Sequence, residues 1–384
     1  MAAWWGRSPE LAEIFRAHAP PPEQLGRDRG RVVRDVVSCR TPCLGGHLQV
    51  CDHCGREKPF YNSCRNRHCP KCQSLEQTRW VEAQARSLLP VEYFHLVFTV
   101  PTELHPLFLA ERRGSYALLF EAAIGALQAV CQRRLGATPG TIAVLHTWSQ
   151  TLLFHPHLHC IVTGGGLNAA RDRWIAARPG FLVPVRALSK VFRGKLLDLL
   201  EHSLLQKSAG VGPDLGRRLL RQAAAKQWVV YSKVSMAGPS QVLRYLGRYT
   251  HRIAIGNERL VALESGQVTF RYRDRRRGNL NRQLTLAAPD FVRRFLLHVL
   301  PHGFVRIRHF GIQANVCRAR LLGRARQILN SPAPPQSESR HQEPWQSLFH
   351  RLTGRDPNRC PYCGRGTLRH VAALTLITTL ARAP

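Results

Sequence analysis

The chain runs to 384 residues, long enough for more than one domain, and its 44% hydrophobic content suits a globular protein with a full core. Lys and Arg number 56 against 24 Asp and Glu, a formal charge of +32, and so large an excess calls for a polyanionic partner, nucleic acid first. No uninterrupted apolar run looks long enough to span a bilayer and Met1-Ala-Ala-Trp-Trp-Gly-Arg is not a signal peptide, so the expectation is a cytoplasmic, nucleoid-associated protein with no membrane partner.

Residues 1 to 37 read as helical, with a break at Pro20-Pro21-Pro22. Seven of the 12 cysteines then fall between Cys39 and Cys72, among histidines, a clustering that favours zinc over disulfides. Two C-x-x-C knuckles stand at the spacing of a four-cysteine site, which makes Cys51, Cys54, Cys69 and Cys72 the first-choice ligands. Cys39, Cys43, His47, Cys64 and His68 are enough for a second ion. Arg65, Arg67 and Lys71 lie between ligands, where a small rigid scaffold is expected to expose them to DNA phosphates. Cys131, Cys160 and Cys317 stand alone and read as small buried apolar residues.

Gln73 to Leu89 is patterned as a helix, Phe94 to Pro101 as a strand, Gly114 to Leu135 as a helix and Thr141 to Ser149 as a strand. After His155, Pro156 breaks the strand pattern, and His157-Leu-His159 opens another strand, to Thr163, with Gly164-Gly-Gly166 as its exit turn. Side chains alternate along a strand, so His157 and His159 share a face and form half of a divalent-metal site. Helices over 185 to 225 and a strand at Gln227 to Lys233 follow. The sum is an α/β (α+β) palm: a mostly antiparallel sheet with helices packed on it.

Pro239 and Ser240 open a helix on which Tyr245 and Tyr249, four apart, share a face, with Arg244, Arg248 and Arg252 as a neighbouring stripe. Two tyrosines on a helix are commonly core packing. Beside an H-x-H strand they gain a second use, because a tyrosine hydroxyl is a covalent nucleophile toward a metal-activated phosphate. Ile253 to Leu263 and Gln267 to Tyr272 read as a hairpin. Arg271, Arg273 and Arg275 belong to a run of five arginines in seven residues, suited to phosphate contact beside a stacking tyrosine. Residues 331 to 345 are linker-like, and Cys360-Pro-Tyr-Cys363 is half a zinc ribbon, open to His350, His370, a dimer partner or no ligand at all. The implied units are 1–90, a helical arm and zinc-binding domain; 91–330, the catalytic domain; and 331–384, linker and tail.

Three motifs in order, Tyr-Asn-Ser-Cys-Arg-Asn-Arg-His-Cys-Pro-Lys-Cys-Gln at 61–73, His-Pro-His-Leu-His at 155–159 and Tyr-Leu-Gly-Arg-Tyr-Thr-His-Arg at 245–252, resemble the two-tyrosine HUH transposases of the insertion sequence ninety-one family. Phe98-Thr-Val resembles the first motif of rolling-circle initiators. The resemblance implies an HUH-endonuclease palm with an N-terminal zinc-binding module, structural Zn²⁺, and Mg²⁺ or Mn²⁺ on His157 and His159. It also implies a third ligand, for which Gln150, Gln241 and His155 are the candidates. The implied activity is nicking and rejoining of single-stranded DNA at element termini through a 5′-phosphotyrosine. Alternatives are an HUH replication initiator or relaxase, and a non-catalytic zinc-dependent DNA-binding protein in which the same histidines and tyrosines only pack.

Overall fold

The computed structural model describes residues 8–206, 211–234, 243, 247, 253–274, 277–332 and 343–375. In chain order the elements are α1 (Leu11–His18), α2 (Arg27–Ser38), the hairpin β1 (Gly46–Cys51) and β2 (Glu57–Tyr61), α3 (Ser74–Arg86), β3 (Tyr93–Thr99), α4 (His105–Ala110) and α5 (Arg112–Leu135). There follow β4 (Ala137–Trp148), β5 (Phe154–Asn168), β6 (Trp174–Ala176), α6 (Val185–Gln206), α7 (Pro213–Ala224) and β7 (Val230–Val234). The remainder comprises β8 (Leu260–Glu264), β9 (Gln267–Asp274), β10 (Leu280–Ala287), α8 (Ala288–Leu296), β11 (Ile307–Phe310), α9 (Arg318–Ile328), α10 (Trp345–Thr353) and β12 (Leu368–Leu374).

The central sheet has the order β11-β4-β5-β3-β7, with β6 added to β5, and every described pairing in it is antiparallel. It is the antiparallel palm expected from the α/β pattern. Period-two alternation sorts its strands into two faces. Leu158, Cys160 and Val162 of β5, with Leu96 and Phe98 of β3, enter the main core shared with α5 and α6. Ile161 of β5, Ile142 and Val144 of β4 and Tyr93 of β3 form a second cluster on the opposite face, where Trp80 and Val81 of α3 and the helical residue Leu243 cover them.

α5 is the central helix of the main core. Glu111 caps its start by accepting from the Gly114 amide at 2.5 Å, and Gly136, at φ 65°, ends it in the left-handed conformation that glycine adopts without strain. By length and apolar composition it is long enough to cross a membrane, contrary to the expectation that no apolar run is. However, 61% of its apolar window is buried within the fold, as befits a core helix.

Three local expectations change. The Gly164–Gly166 run is no exit turn: β5 continues to Asn168, and a Cβ on Gly164 would stand 2.8 Å from the Glu92 carbonyl oxygen, so the glycines permit close strand approach. Pro156 does not break the strand either. β4 shifts register between His146 and Trp148, opposite the proline, so its missing N–H costs no regular ladder bond. The amino-terminal arm is part of the core: Leu11, Ile14 and Phe15 are buried, and Phe15 packs edge-on against Phe295 of α8 at 5.2 Å, an aromatic pair of about 1 kcal/mol beyond its burial. The stretch after 343 returns to the amino-terminal side, where Arg351 of α10 bonds Glu82 of α3 at 2.9 Å and β12 pairs with β1.

Candidate active site

β4 and β5 place three histidines together. His146 stands directly opposite His157 in the antiparallel register, and His159 lies two residues further along the same face. One nitrogen from each of His146, His157 and His159 falls within 4.8 Å of the others, with His146 and His159 buried and His157 half-buried. The ring of His146 also stacks on Trp148 at 4.6 Å.

Hydrogen bonding sets the tautomer of His157. His157 Nδ1 lies 2.6 Å from the His155 carbonyl oxygen, which can only accept, so Nδ1 carries the proton and Nε2 presents a lone pair. That lone pair faces His159 Nε2 at 3.1 Å, while His159 Nδ1 meets His95 Nε2 at 2.8 Å. Nitrogens bound about 2.1 Å from a common ion stand roughly 3.0 to 3.4 Å apart, so the two Nε2 atoms are spaced as ligands of one metal. His95 on β3 is the outer partner that orients His159. The residues therefore fit a divalent ion.

Of the three residues considered as a further ligand, none joins this cluster among the described residues. His155 is not one of the converging three: its ring lies 5.1 Å from that of His157 and 6.3 Å from that of His105, and burial lowers the pKa of both His155 and His105, that of His105 to about 4. Gln150 lines a neighbouring cleft of about 540 Å³ with Ser74, Gln77, Trp148, Gly256 and Arg259, and its backbone carbonyl accepts from Arg259 at 2.5 Å. Gln241 lies outside the described residues, as do Tyr245, Tyr249, Arg244, Arg248, Arg252 and Arg275. His146 was missed by sequence reading. Its one signal was a position on the apolar strand preceding the H-x-H strand, and only the pairing register makes that a neighbour of His157.

The helical residues Leu243 and Gly247 bracket the first predicted tyrosine. Leu243 is fully buried on the histidine-bearing face of the sheet. Gly247 lies so close to α3 that a Cβ there would run into Val81 Cγ2.

The cysteines pair differently from the sequence expectation. Cys69 and Cys72 converge with Cys39 and Cys64, Cys72 Sγ lying 3.3 Å from Cys39 and 3.6 Å from Cys64, whereas Cys51 and Cys54 meet Cys360 and Cys363. The two knuckles first assigned to one ion thus belong to two clusters. The physical reason is that Cys51 ends β1, whose edge is taken by β12, while Cys69 and Cys72 follow a loop anchored on the main core. Cys43, His47 and His68 belong to neither. His47 packs between the rings of Phe60 and His370, and His68 is buried with Nδ1 on Asn66 Oδ1 at 2.9 Å. Burial, helped by the charges of Arg67 and Arg306, holds the His68 pKa well below its ordinary value. The lone Cys131 and Cys160 are fully buried, and Cys317 is half-buried.

The expected DNA-facing residues also divide. Arg65, Arg271 and Arg273 are exposed, the latter two on the outer face of the β8-β9-β10 sheet opposite Gln283 and Asn281. Arg67 turns inward, donating to the Phe304 carbonyl at 2.8 Å, and Lys71 pairs with Glu10 at 2.5 Å. Both join the zinc-binding region to its surroundings, because a half-buried cation is retained only where carbonyls or a carboxylate replace its water.

Comparison with known proteins bears on this arrangement. Residues 10–100 match the family described as "Transposase zinc-binding domain", of the IS91 type, and residues 140–320 match the two-tyrosine family described as "Putative transposase". The protein from Sinorhizobium fredii named "Putative transposase y4qJ" is 42% identical over 374 residues, covering 94% of each chain. The transposase for insertion sequence element IS801 of Pseudomonas savastanoi pv. phaseolicola is 29% identical over 364 residues, 90% of this chain and 84% of that one. The chain belongs to the IS91 family of two-tyrosine transposases. Among solved structures, the conjugative relaxase TrwC in complex with oriT DNA overlaps 41% of this transposase and 68% of the relaxase chain, at 12% identity and a TM-score of 0.21, too slight a likeness to bear on the fold. Cys39, Cys64, Cys69 and Cys72 all lie within the matched zinc-binding domain, and four converging thiols are the donor set of a structural Zn²⁺ site.

Proposed function

We propose that this transposase nicks and rejoins single-stranded DNA at its element ends, with His146, His157 and His159 as the metal ligands and Tyr245 and Tyr249 as nucleophiles. The observation that carries the reading is the convergence of three imidazoles on adjacent strands, His157 with its Nε2 lone pair turned toward His159. Three imidazoles suit a first-row transition ion better than Mg²⁺, so of Mg²⁺ and Mn²⁺ the donor set favours Mn²⁺. A bound ion supplies positive charge to the scissile phosphate oxygens. One tyrosine oxygen attacks phosphorus, the 3′-hydroxyl departs, and the phosphodiester energy stays in a 5′-phosphotyrosine for rejoining. The second tyrosine permits a second cleavage without release of the first strand. The cleft beside Trp148 and the exposed Arg271 and Arg273 suit single-stranded DNA, through enclosure and phosphate contact.

The test is a labelled single-stranded oligonucleotide carrying an element end. A covalent protein–DNA adduct is expected with Mn²⁺, absent from the Tyr245→Phe, Tyr249→Phe double variant. Failure of the unmodified protein to form an adduct on its own element end would overturn the reading.

A further inference from the structure

The second cysteine cluster joins residues more than 300 positions apart. Cys51-Asp-His-Cys54-Gly55 and Cys360-Pro-Tyr-Cys363-Gly364 are built alike. In each, the glycine sits in the left-handed region at φ 66°, and its amide donates to the carbonyl of the first cysteine at 3.0 Å. The sulfurs receive backbone amides as well: His53 and Cys54 donate to Cys51 Sγ at 3.4 Å, and Gly366 donates to Cys363 Sγ at 3.4 Å. Across the knuckles, Cys51 and Cys363 stand 3.7 Å apart and Cys54 and Cys360 3.8 Å. Four sulfurs tetrahedrally bound at about 2.3 Å from one zinc ion stand about 3.8 Å from each other. Gly366 is fitted to the cluster, since a Cβ there would lie 2.5 Å from Cys51 Sγ.

The surrounding sheet has little apolar support among the described residues. Among the described residues β12-β1-β2 encloses Cys51, Cys360 and Leu368, with Phe60 and Cys363 partly buried against them, so thiols make up most of that interior. β12 is exposed along most of its length. A three-stranded sheet with so little apolar burial is below the size that holds without a metal or cross-link, and no disulfide is present.

We propose that Cys51, Cys54, Cys360 and Cys363 bind a second zinc ion, which clasps the carboxy-terminal segment onto the amino-terminal zinc-binding module. The ion replaces the missing core, and the Asp52 carboxylate, accepting from the Thr367 amide at 2.7 Å and facing Arg369 at 3.3 Å, sets the register of the clasp.

The test counts zinc in the full chain under reducing conditions, in a His157→Ala background so that the histidine centre contributes none. About two zinc ions per chain are expected, falling to about one in Cys360→Ser, Cys363→Ser. Amide hydrogen exchange across Leu368–Leu374 should rise to that of an unpaired strand in the same variant, while the central sheet stays protected. One zinc per chain in the protein with all cysteines intact would overturn the proposal, and that count stands even where the serine variant fails to fold. Retention of both ions by the serine variant would overturn it equally. Neither outcome touches the adduct assay above, which reads a different centre.

Discussion

Replacing His146 tests the metal centre at the point where structure and sequence differ most. His146 is 3% exposed and stacked on Trp148, so alanine would leave a hole, at a cost of several kcal/mol of stability typical of buried-ring deletions. Glutamine keeps more of the volume and is the better substitution. It leaves the Nε2 atoms of His157 and His159 still facing each other, and takes away one ligand of three. Loss of an outer partner alone costs about 10 to 100-fold in metal affinity, so loss of a direct ligand is expected to cost at least about 100-fold, or roughly 2.7 kcal/mol. Mn²⁺ titration by calorimetry measures that directly. Adduct formation at low Mn²⁺ should fall by a similar factor and recover in part at high Mn²⁺, because the defect lies in occupancy. His95→Ala, freeing His159 Nδ1, should weaken Mn²⁺ about 10 to 100-fold. A folded His146→Gln protein with unchanged Mn²⁺ affinity and cleavage, beside an inactive His157→Ala, would refute the three-histidine assignment and return His146 to packing.

Other outcomes follow from the same geometry. Gly247→Ala forces Val81 aside and should destabilise by about 1 to 3 kcal/mol while lowering adduct yield; Val81→Ala in the same chain should restore both, and additive melting shifts would show that the two sites do not touch. Arg271→Ala with Arg273→Ala should weaken single-strand binding without regard to sequence and flatten log K against log salt by about 1.4, at about 0.7 per lost phosphate contact. An unchanged slope would remove the outer hairpin face from the DNA path. His298 is buried with Nε2 donating to the Leu152 carbonyl at 3.1 Å, and burial lowers its pKa to about 4. The folded ring stays neutral while the unfolded one takes a proton below pH 6.5, so its contribution to stability, complete above pH 6.5, is lost as the pH falls toward 4. The loss is about 2 kcal/mol by pH 5. Urea denaturation at pH 7 and pH 5 should show a smaller difference for His298→Gln than for the natural chain; equal differences would refute this.

Much of the fold was legible because it is written in local periodicity. The apolar spacing of Gly114 to Leu135 required a helix, and the alternation through His157, His159 and Ile161 required a strand with both imidazoles on one side. Gly164 to Gly166 misled because glycine marks both turns and close strand approach, and only the neighbouring Glu92 carbonyl tells which applies. Arg67 misled because a cation between knuckles looks solvent-facing until the carbonyls of residues 301 and 304 are brought beside it.

By itself the sequence determined which residue types occur at metal-binding spacing, which of them share a strand face, and a charge that suits a polyanionic partner. All of these rest on separations of a few residues, where backbone geometry leaves little choice. Tertiary structure alone decided the partners. His146 became a neighbour of His157 through the register of two strands, and Cys51 and Cys54 found Cys360 and Cys363 because β12 occupies the edge of β1. Such pairings depend on how a long intervening chain buries its apolar surface, and no local spacing records that.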